Sequence, residues 1–277
     1  MPDNQIHALT VDVEDWFHVC AGQQPEIPRS AWRVRQATER ILTLLDSHGA
    51  KATFFMLGCV AEAEPELAPM IERQGHEVAS HGWSHRLLHD LTVEEFECEL
   101  ERTEAILLDQ TGKRPFGFRA PRWSVSMRTP WVDAVLVRRG YLYDSSRNPL
   151  PFLAGSGSAL HPSRVRAGAG ELWEVPPMVT PMPLFNLPTG GGWGFRLFPF
   201  RMIAATVARY HDVKQPAVLY LHPREVDPES PRVKLHPLRS FATYGPRSDA
   251  AGRIAALLER FRFTTLLDLV ESWQPVS

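Results

Sequence analysis

Apolar positions along this chain fall into two alternating rhythms. His7-Ala8-Leu9-Thr10-Val11-Asp12-Val13 is a strand-length apolar run that ends on the acids Glu14 and Asp15, which predicts a strand with charge at its end. From Ser30 to His48, Trp32, Val34, Ile41, Leu42, Leu44 and Leu45 recur at helical spacing and stop at Gly49, a usual helix terminator. The pairing then repeats, with a strand over 51–57, a helix over 64–73 and a strand over 77–81. A helix over 92–111, capped by Asp90 or Thr92, leads to a strand at Gly117-Phe118-Arg119. Further helix-then-strand pairs run from 130–139 into 141–144 and from 201–210 into 217–221.

Such alternation implies a parallel sheet covered by helices, and this many units favour a barrel over an open sheet. The prediction is one α/β domain over residues 1–277, a distorted, TIM-like barrel of seven strands. In barrels of this kind the chemistry sits at the carboxyl ends of the strands. One stretch breaks the rhythm: 148–194 is rich in Pro, Gly and Ser and holds Gly190-Gly191-Gly192-Trp193-Gly194. It is expected to be an irregular insertion that carries binding function, with a small strand at Leu172-Trp173-Glu174-Val175.

Composition narrows the function. With 30 Lys+Arg against 32 Asp+Glu and no basic block, the chain lacks the clustered cations that bind nucleic-acid phosphates. Three widely spaced cysteines, Cys20, Cys59 and Cys98, suggest neither a disulfide scaffold nor a thiolate metal site. Met1 to Gln5 carry no signal-peptide pattern and no run approaches the roughly 20 apolar residues of a spanning helix. A cytoplasmic protein without a transmembrane segment is the expectation.

The polar residues at the predicted strand ends are few. Ser80-His81-Gly82-Trp83-Ser84-His85 places two imidazoles four residues apart, which can face one metal ion. A third ligand is available among Asp12, Glu14 and Asp15, whose crowded charges call for a cation. A His-His-carboxylate set with open positions suits zinc or another divalent first-row metal. Arg119, in Phe118-Arg119-Ala120-Pro121-Arg122-Trp123, can hold a carboxylate in its fork, and His222 ends the last strong strand as a candidate general acid. Of the remaining histidines, His18, His76, His89 and His211 lack such partners, with His89 the nearest exception. Trp83, Trp173 and Trp193 are the aromatics expected to line a cleft.

Taken in order, Thr10-Val11-Asp12-Val13-Glu14-Asp15, His81-Gly82-Trp83-Ser84-His85, Arg119-Ala120-Pro121, Tyr143-Asp144-Ser145-Ser146 and Leu221-His222-Pro223 resemble the successive motifs of NodB-type polysaccharide deacetylases. The resemblance covers about residues 5–275. The acidic motif, Gly192-Trp193-Gly194-Phe195-Arg196 and His222 to Pro228 look most like the branch found in bacterial exopolysaccharide clusters. The resemblance implies a zinc-like ion and hydrolysis of acetyl groups from N-acetylated sugars, with a glycan or polysaccharide as the substrate. Carried over by position, His81 and His85 are ligands, Asp12 is the base, His222 the acid, and Arg119 orients Asp12. The first motif departs from the commoner pair of adjacent aspartates, so the third ligand is Glu14 or Asp15. Arg122 stands where many relatives have tyrosine, at a backbone N–H that serves the oxyanion.

The mechanism that follows has Asp144 holding His222 as an imidazolium, and Trp173 and Leu221 closing a pocket for the acetyl methyl. Arg122 and Trp123 complete the substrate wall. Two rivals compete: an amidohydrolase of the same fold acting on cyclic ureides or imides, and a glycan-binding barrel without activity.

Overall fold

Parallel strands need long crossovers, and here most of them contain helices that pack on the outside of a curled sheet. The computed structural model describes residues 6–20, 27–150, 159–245 and 249–272; Met1 to Gln5 and residues 151–158 of the predicted insertion lie outside them. The strands are β1 (His7–Val13), β2 (Thr53–Met56), β3 (Glu77–Ser80), β4 (Gly117–Phe118), β5 (Tyr143–Asp144), β6 (Ser163–Ala167), β7 (Gly170–Glu174), β8 (Thr180–Pro181), β9 (Asn186–Leu187), β10 (Val218–Leu221) and β11 (Phe263–Thr264). Seven of them lie parallel in the order β10-β1-β2-β3-β4-β5-β7. Strand β6 flanks β7 antiparallel, and β11 pairs with the start of β1.

No ladder joins β7 to β10 among the described residues. The chain leaving β7 passes beside β10 instead: Met178 N–H donates to Val218 O (2.8 Å) and Tyr220 N–H to Gly190 O (2.9 Å). The result is a curled α/β half-barrel whose continuous run of seven parallel strands is joined beside β1 by the short parallel β11. The region 148–194 is less irregular than its composition suggests. It supplies the last parallel strand, β7, through a hairpin with β6 that turns at Gly168, whose φ of 60° suits glycine.

The period-2 alternation of β1 sorts its residues between two environments. Leu9, Val11 and Val13 join the main core with Ile41, Leu42 and Leu45 of the helix Val34–Ser47 and Ile203 and Val207 of the helix Phe200–Asp212. Burying each such side chain is worth about 1.5–3 kcal/mol. Ala8, Thr10 and Asp12 face into the barrel, opposite Val218, Tyr220 and His222 of the neighbouring strand and the residue after it. Both series grow more polar toward the carboxyl ends. Of the two expected caps on the helix Val93–Thr111, Thr92 is used: its hydroxyl accepts from Glu95 N–H (3.2 Å) while Glu95 accepts from Thr92 N–H (2.8 Å). No described helix is long and apolar enough to cross a membrane.

Candidate functional site

At the carboxyl ends of β1 and β3, Glu14, His81 and His85 bring one potential ligand atom each to within 4.8 Å of one another. His81 follows β3, and its Nδ1 lies 2.7 Å from Arg119 O. A carbonyl can only accept, so Nδ1 carries the proton and Nε2 is left as the ligand atom. Gly82 and His85, both with positive φ, bend the following loop. Glu99, on the helix Val93–Thr111, pins that loop by accepting from Trp83 N–H (3.1 Å) and the Ser84 hydroxyl.

Glu14 is buried, and its Oε2 sits 2.6 Å from His85 Nε2 without an aligned hydrogen bond. The two atoms lie close enough for one cation to contact both. Burial pushes the Glu14 carboxyl up, but the pull of the neighbouring His85, then of His222 and His81, outweighs it and holds the group well below the usual range. His81 goes the other way, lowered chiefly by burial despite Asp12 and Glu14. A neutral imidazole and an ionised carboxylate are the forms that bind metal. The donor set, its burial and the orphaned Oε2 fit a divalent cation.

Asp15 does not belong to this set, a correction to the pair of candidate third ligands. Its Oδ1 accepts from Trp16 N–H (2.7 Å), and its Oδ2 from Arg33 N–H (2.7 Å) and Val34 N–H (2.9 Å). The residue ties the β1 loop to the start of the helix Val34–Ser47, satisfying N–H groups that helix leaves open.

Beside these three residues, Asp12 Oδ1 accepts from Arg119 Nη1 at 2.8 Å. The guanidinium is buried and also donates to Thr10 Oγ1 (2.8 Å), Ser145 O (3.0 Å) and Ser145 Oγ (2.8 Å). Asp12 Oδ2 therefore turns toward His222, whose Nε2 is 3.8 Å away and 3.3 Å from Glu14 Oε1. Burial alone would lower the His222 pKa; a hydrogen bond and charge from Glu225, then Glu14 and Asp12, raise it above its ordinary value. Glu225 accepts from His222 N–H (2.9 Å) and meets its Nδ1 (3.1 Å). Its own pKa, opposed by burial, falls to about 2 under His222 and Arg196.

The partner expected for His222 was Asp144, and the structure places that residue elsewhere. Asp144 accepts from the Ser146 hydroxyl, which itself accepts from Ala120 N–H (2.8 Å), and lies 3.6 Å from Arg147 Nη1. Burial lifts its pKa to about 6 against the pull of Arg147. It supports the strand end at Ala120 from behind. Glu225 was missed, although its place three residues after His222, across Pro223, is a capping spacing visible in sequence.

A cavity of about 390 Å³ opens over the cluster, lined by Asp12, Glu14, His81, His85 and His222 together with Arg122, Trp123, Trp193 and Tyr220. Arg122 and Trp123 both adopt left-handed backbone, φ 52° and 58°, at a cost of about 1–3 kcal/mol each that is typical of functional turns. Two predicted wall residues fail to reach the cavity. Leu221 pairs with Val11 and faces the outer core, because strand alternation sends it opposite to Tyr220 and His222. Trp173 lies in the barrel floor with Ala8, Phe55 and Tyr143, under the Arg164 guanidinium. Trp83 stacks under Arg102 (3.7 Å) away from the cavity, whereas Trp193 lines it. His89 lies 3.8 Å from Asp90, while His18 comes closer to the cluster, its ring 5.9 Å from that of His85.

Residues 8–136 match the model of the polysaccharide deacetylase family, and residues 145–271 match a domain of unknown function, DUF3473. A peptidoglycan deacetylase of Helicobacter pylori is 32% identical over 144 residues, 50% of this chain and 48% of that protein. A peptidoglycan-N-acetylglucosamine deacetylase of Bacillus cereus is 37% identical over 84 residues, 30% of each chain. The chain thus spans about half or less of the curated relatives it matches. A crystal structure from Mycobacterium smegmatis, grouped with the polysaccharide deacetylases, has the same fold, with TM-score 0.69, 22% identity, and 98% of this chain and 91% of that one covered.

Proposed function

We propose, from the premise that residues 8–136 of this chain are a polysaccharide deacetylase domain, that the protein hydrolyses the acetamide of an N-acetylated sugar in a polysaccharide or its lipid-linked precursor. An exopolysaccharide is the polymer class suggested by the motifs at 192–196 and 222–228. Glu14, His81 and His85 would hold a divalent metal, zinc being the ion this donor set suits best. The observation that carries the reading is the meeting, in one cavity, of these three residues with an arginine-held carboxylate and a carboxylate-held histidine.

When bound, the metal supplies Lewis acidity and brings the pKa of water down toward about 7. The protein does the rest. Arg119 occupies Asp12 Oδ1, so that Oδ2 accepts the proton of the attacking water. His222, its Nδ1 committed to Glu225, presents Nε2 to the nitrogen of the leaving amine and donates the proton that makes it leave. The turn at Arg122 offers backbone to the oxyanion, a contact worth about 3–4 kcal/mol per donor. Trp123, Trp193 and Tyr220 supply apolar faces for the sugar.

Acetate release from N-acetylated oligosaccharides, measured with zinc supplied, tests the proposal. Wild type should turn over, and His81→Ala and Asp12→Asn should lose most of that turnover. Undiminished activity in either variant removes that residue from its role, and ring-opened products from cyclic imides in place of acetate would transfer the site to the rival amidohydrolase reading.

A further inference from the structure

The cavity over the metal ligands does not end at His222. A second cavity of about 310 Å³ adjoins it and shares Arg196, Arg224 and Thr243 as lining residues. Its wall also holds Glu225, Asp227, Arg232, Tyr244 and Asp249. Formally this is three arginines against three acids, yet the acids are committed within the protein. Glu225 faces His222 (3.1 Å) and Arg196 (3.0 Å). Asp227 is gripped by Arg33 through two bonds of 2.8 and 2.9 Å. Asp249 caps the helix Ala250–Leu258, accepting from Gly252 N–H at 2.9 Å.

Two cations are left over. Arg224 donates from Nη1 to Thr243 O (2.9 Å), and its Nε is buried without a hydrogen-bond partner. Arg232 is exposed and lies over the Tyr244 ring at 5.2 Å. Among the described residues neither has a carboxylate within ion-pair distance. A planar guanidinium whose Nε lacks a hydrogen-bond partner, seated on the boundary between two cavities, suits a two-oxygen anion.

We propose that this second cavity is a subsite for an anionic substituent of the substrate, a carboxylate or phosphate group on the portion of the glycan next to the sugar being deacetylated. Arg224 binds it at the boundary and Arg232 at the rim. The inference rests on the deacetylase reading for the identity of its ligand as a glycan. It extends that reading from any acetylated sugar to an acidic one, either a polymer with uronic-acid residues or a phosphate-linked precursor.

Binding and turnover are measured separately so that each idea can fail alone. Binding of three probes, a galacturonate disaccharide, N-acetylglucosamine 1-phosphate and neutral di-N-acetylchitobiose, is followed by intrinsic tryptophan fluorescence or calorimetry in wild type, Arg224→Gln and Arg232→Gln. At least one anionic probe should bind about tenfold or more tightly than the neutral one, and which of the two does so separates carboxylate from phosphate. That preference should collapse in Arg224→Gln and shrink in Arg232→Gln, a rim variant that tests the subsite even if Arg224→Gln folds poorly. Equal binding of all three probes by wild type, or a preference that survives in both variants, overturns the subsite. Absence of acetate release alongside an intact anion preference would instead overturn the deacetylase reading and leave the subsite standing.

Discussion

Replacing Arg119 by methionine keeps the length of the side chain and removes its charge and donors. The guanidinium is buried to within 1% of its surface and makes four hydrogen bonds, of which the one to Asp12 Oδ1 joins opposite charges. Asp12 is itself only 5% exposed. The variant therefore strands a buried carboxylate and leaves Thr10 and Ser145 short of a donor, a change expected to cost about 3–5 kcal/mol. For a chain of this size that corresponds to a fall in Tm of about 6–20 °C. Asp12→Asn should cost less, because the guanidinium keeps three acceptors, and combining the two should recover about 2–3 kcal/mol of the sum. Urea unfolding after metal chelation, followed by tryptophan fluorescence, reads all four corners of the cycle without interference from bound metal. A loss below about 1 kcal/mol in Arg119→Met, or strictly additive costs, would refute the view that Arg119 exists to hold the Asp12 charge.

The two neighbouring acids should separate cleanly. Glu14→Gln should lower zinc affinity by at least a hundredfold in a chelator competition, whereas Asp15→Asn should keep the metal and lose about 1–2 kcal/mol of stability as a lost cap; loss of metal in the Asp15 variant would reinstate it as a ligand. Glu225→Gln should lower the rate of acetate release about tenfold or more by releasing His222, while Asp144→Asn should show its effect in Tm first, and the reverse order would return Asp144 to the role first expected of it. His7 and His76 should make the fold acid-labile, since each accepts a backbone N–H at Nδ1, from Ala217 and Ala52, and burial above all holds each pKa down from 6.5 to about 4. Between those values the unfolded chain binds more protons than the folded one, so stability is complete above pH 6.5 and falls by up to about 3 kcal/mol per histidine as pH drops toward 4; a His7→Gln variant with an unchanged slope of stability against pH would contradict this.

Much of the architecture is written locally. Strand-length apolar runs alternating with helical spacing are enough to specify parallel β/α units, because each period has only one face to bury. The same runs end where His81, Asp12, Arg119 and His222 stand, and the barrel's habit of gathering strand ends makes that list a candidate site before any coordinates. The insertion was only partly legible. The apolar run at Leu172 to Val175 announces β7, but its place as the last parallel strand depends on β5 and β6 pairing with it rather than on its own composition.

What the tertiary structure alone decided is which of several chemically equal neighbours faces inward. Glu14 and Asp15 differ by one residue and one methylene, yet one meets His85 and the other meets the backbone of a helix 18 residues on. Asp144 and Glu225 could each have held His222, and only the course of the chain after β10 brings Glu225 to it. Leu221 was lost from the wall by the parity of its strand, and Trp173 by its depth in the barrel. Residue types and their order along the chain determine what chemistry is available. The direction of each side chain depends on pairing and packing with segments far away in sequence, and no local pattern encodes that.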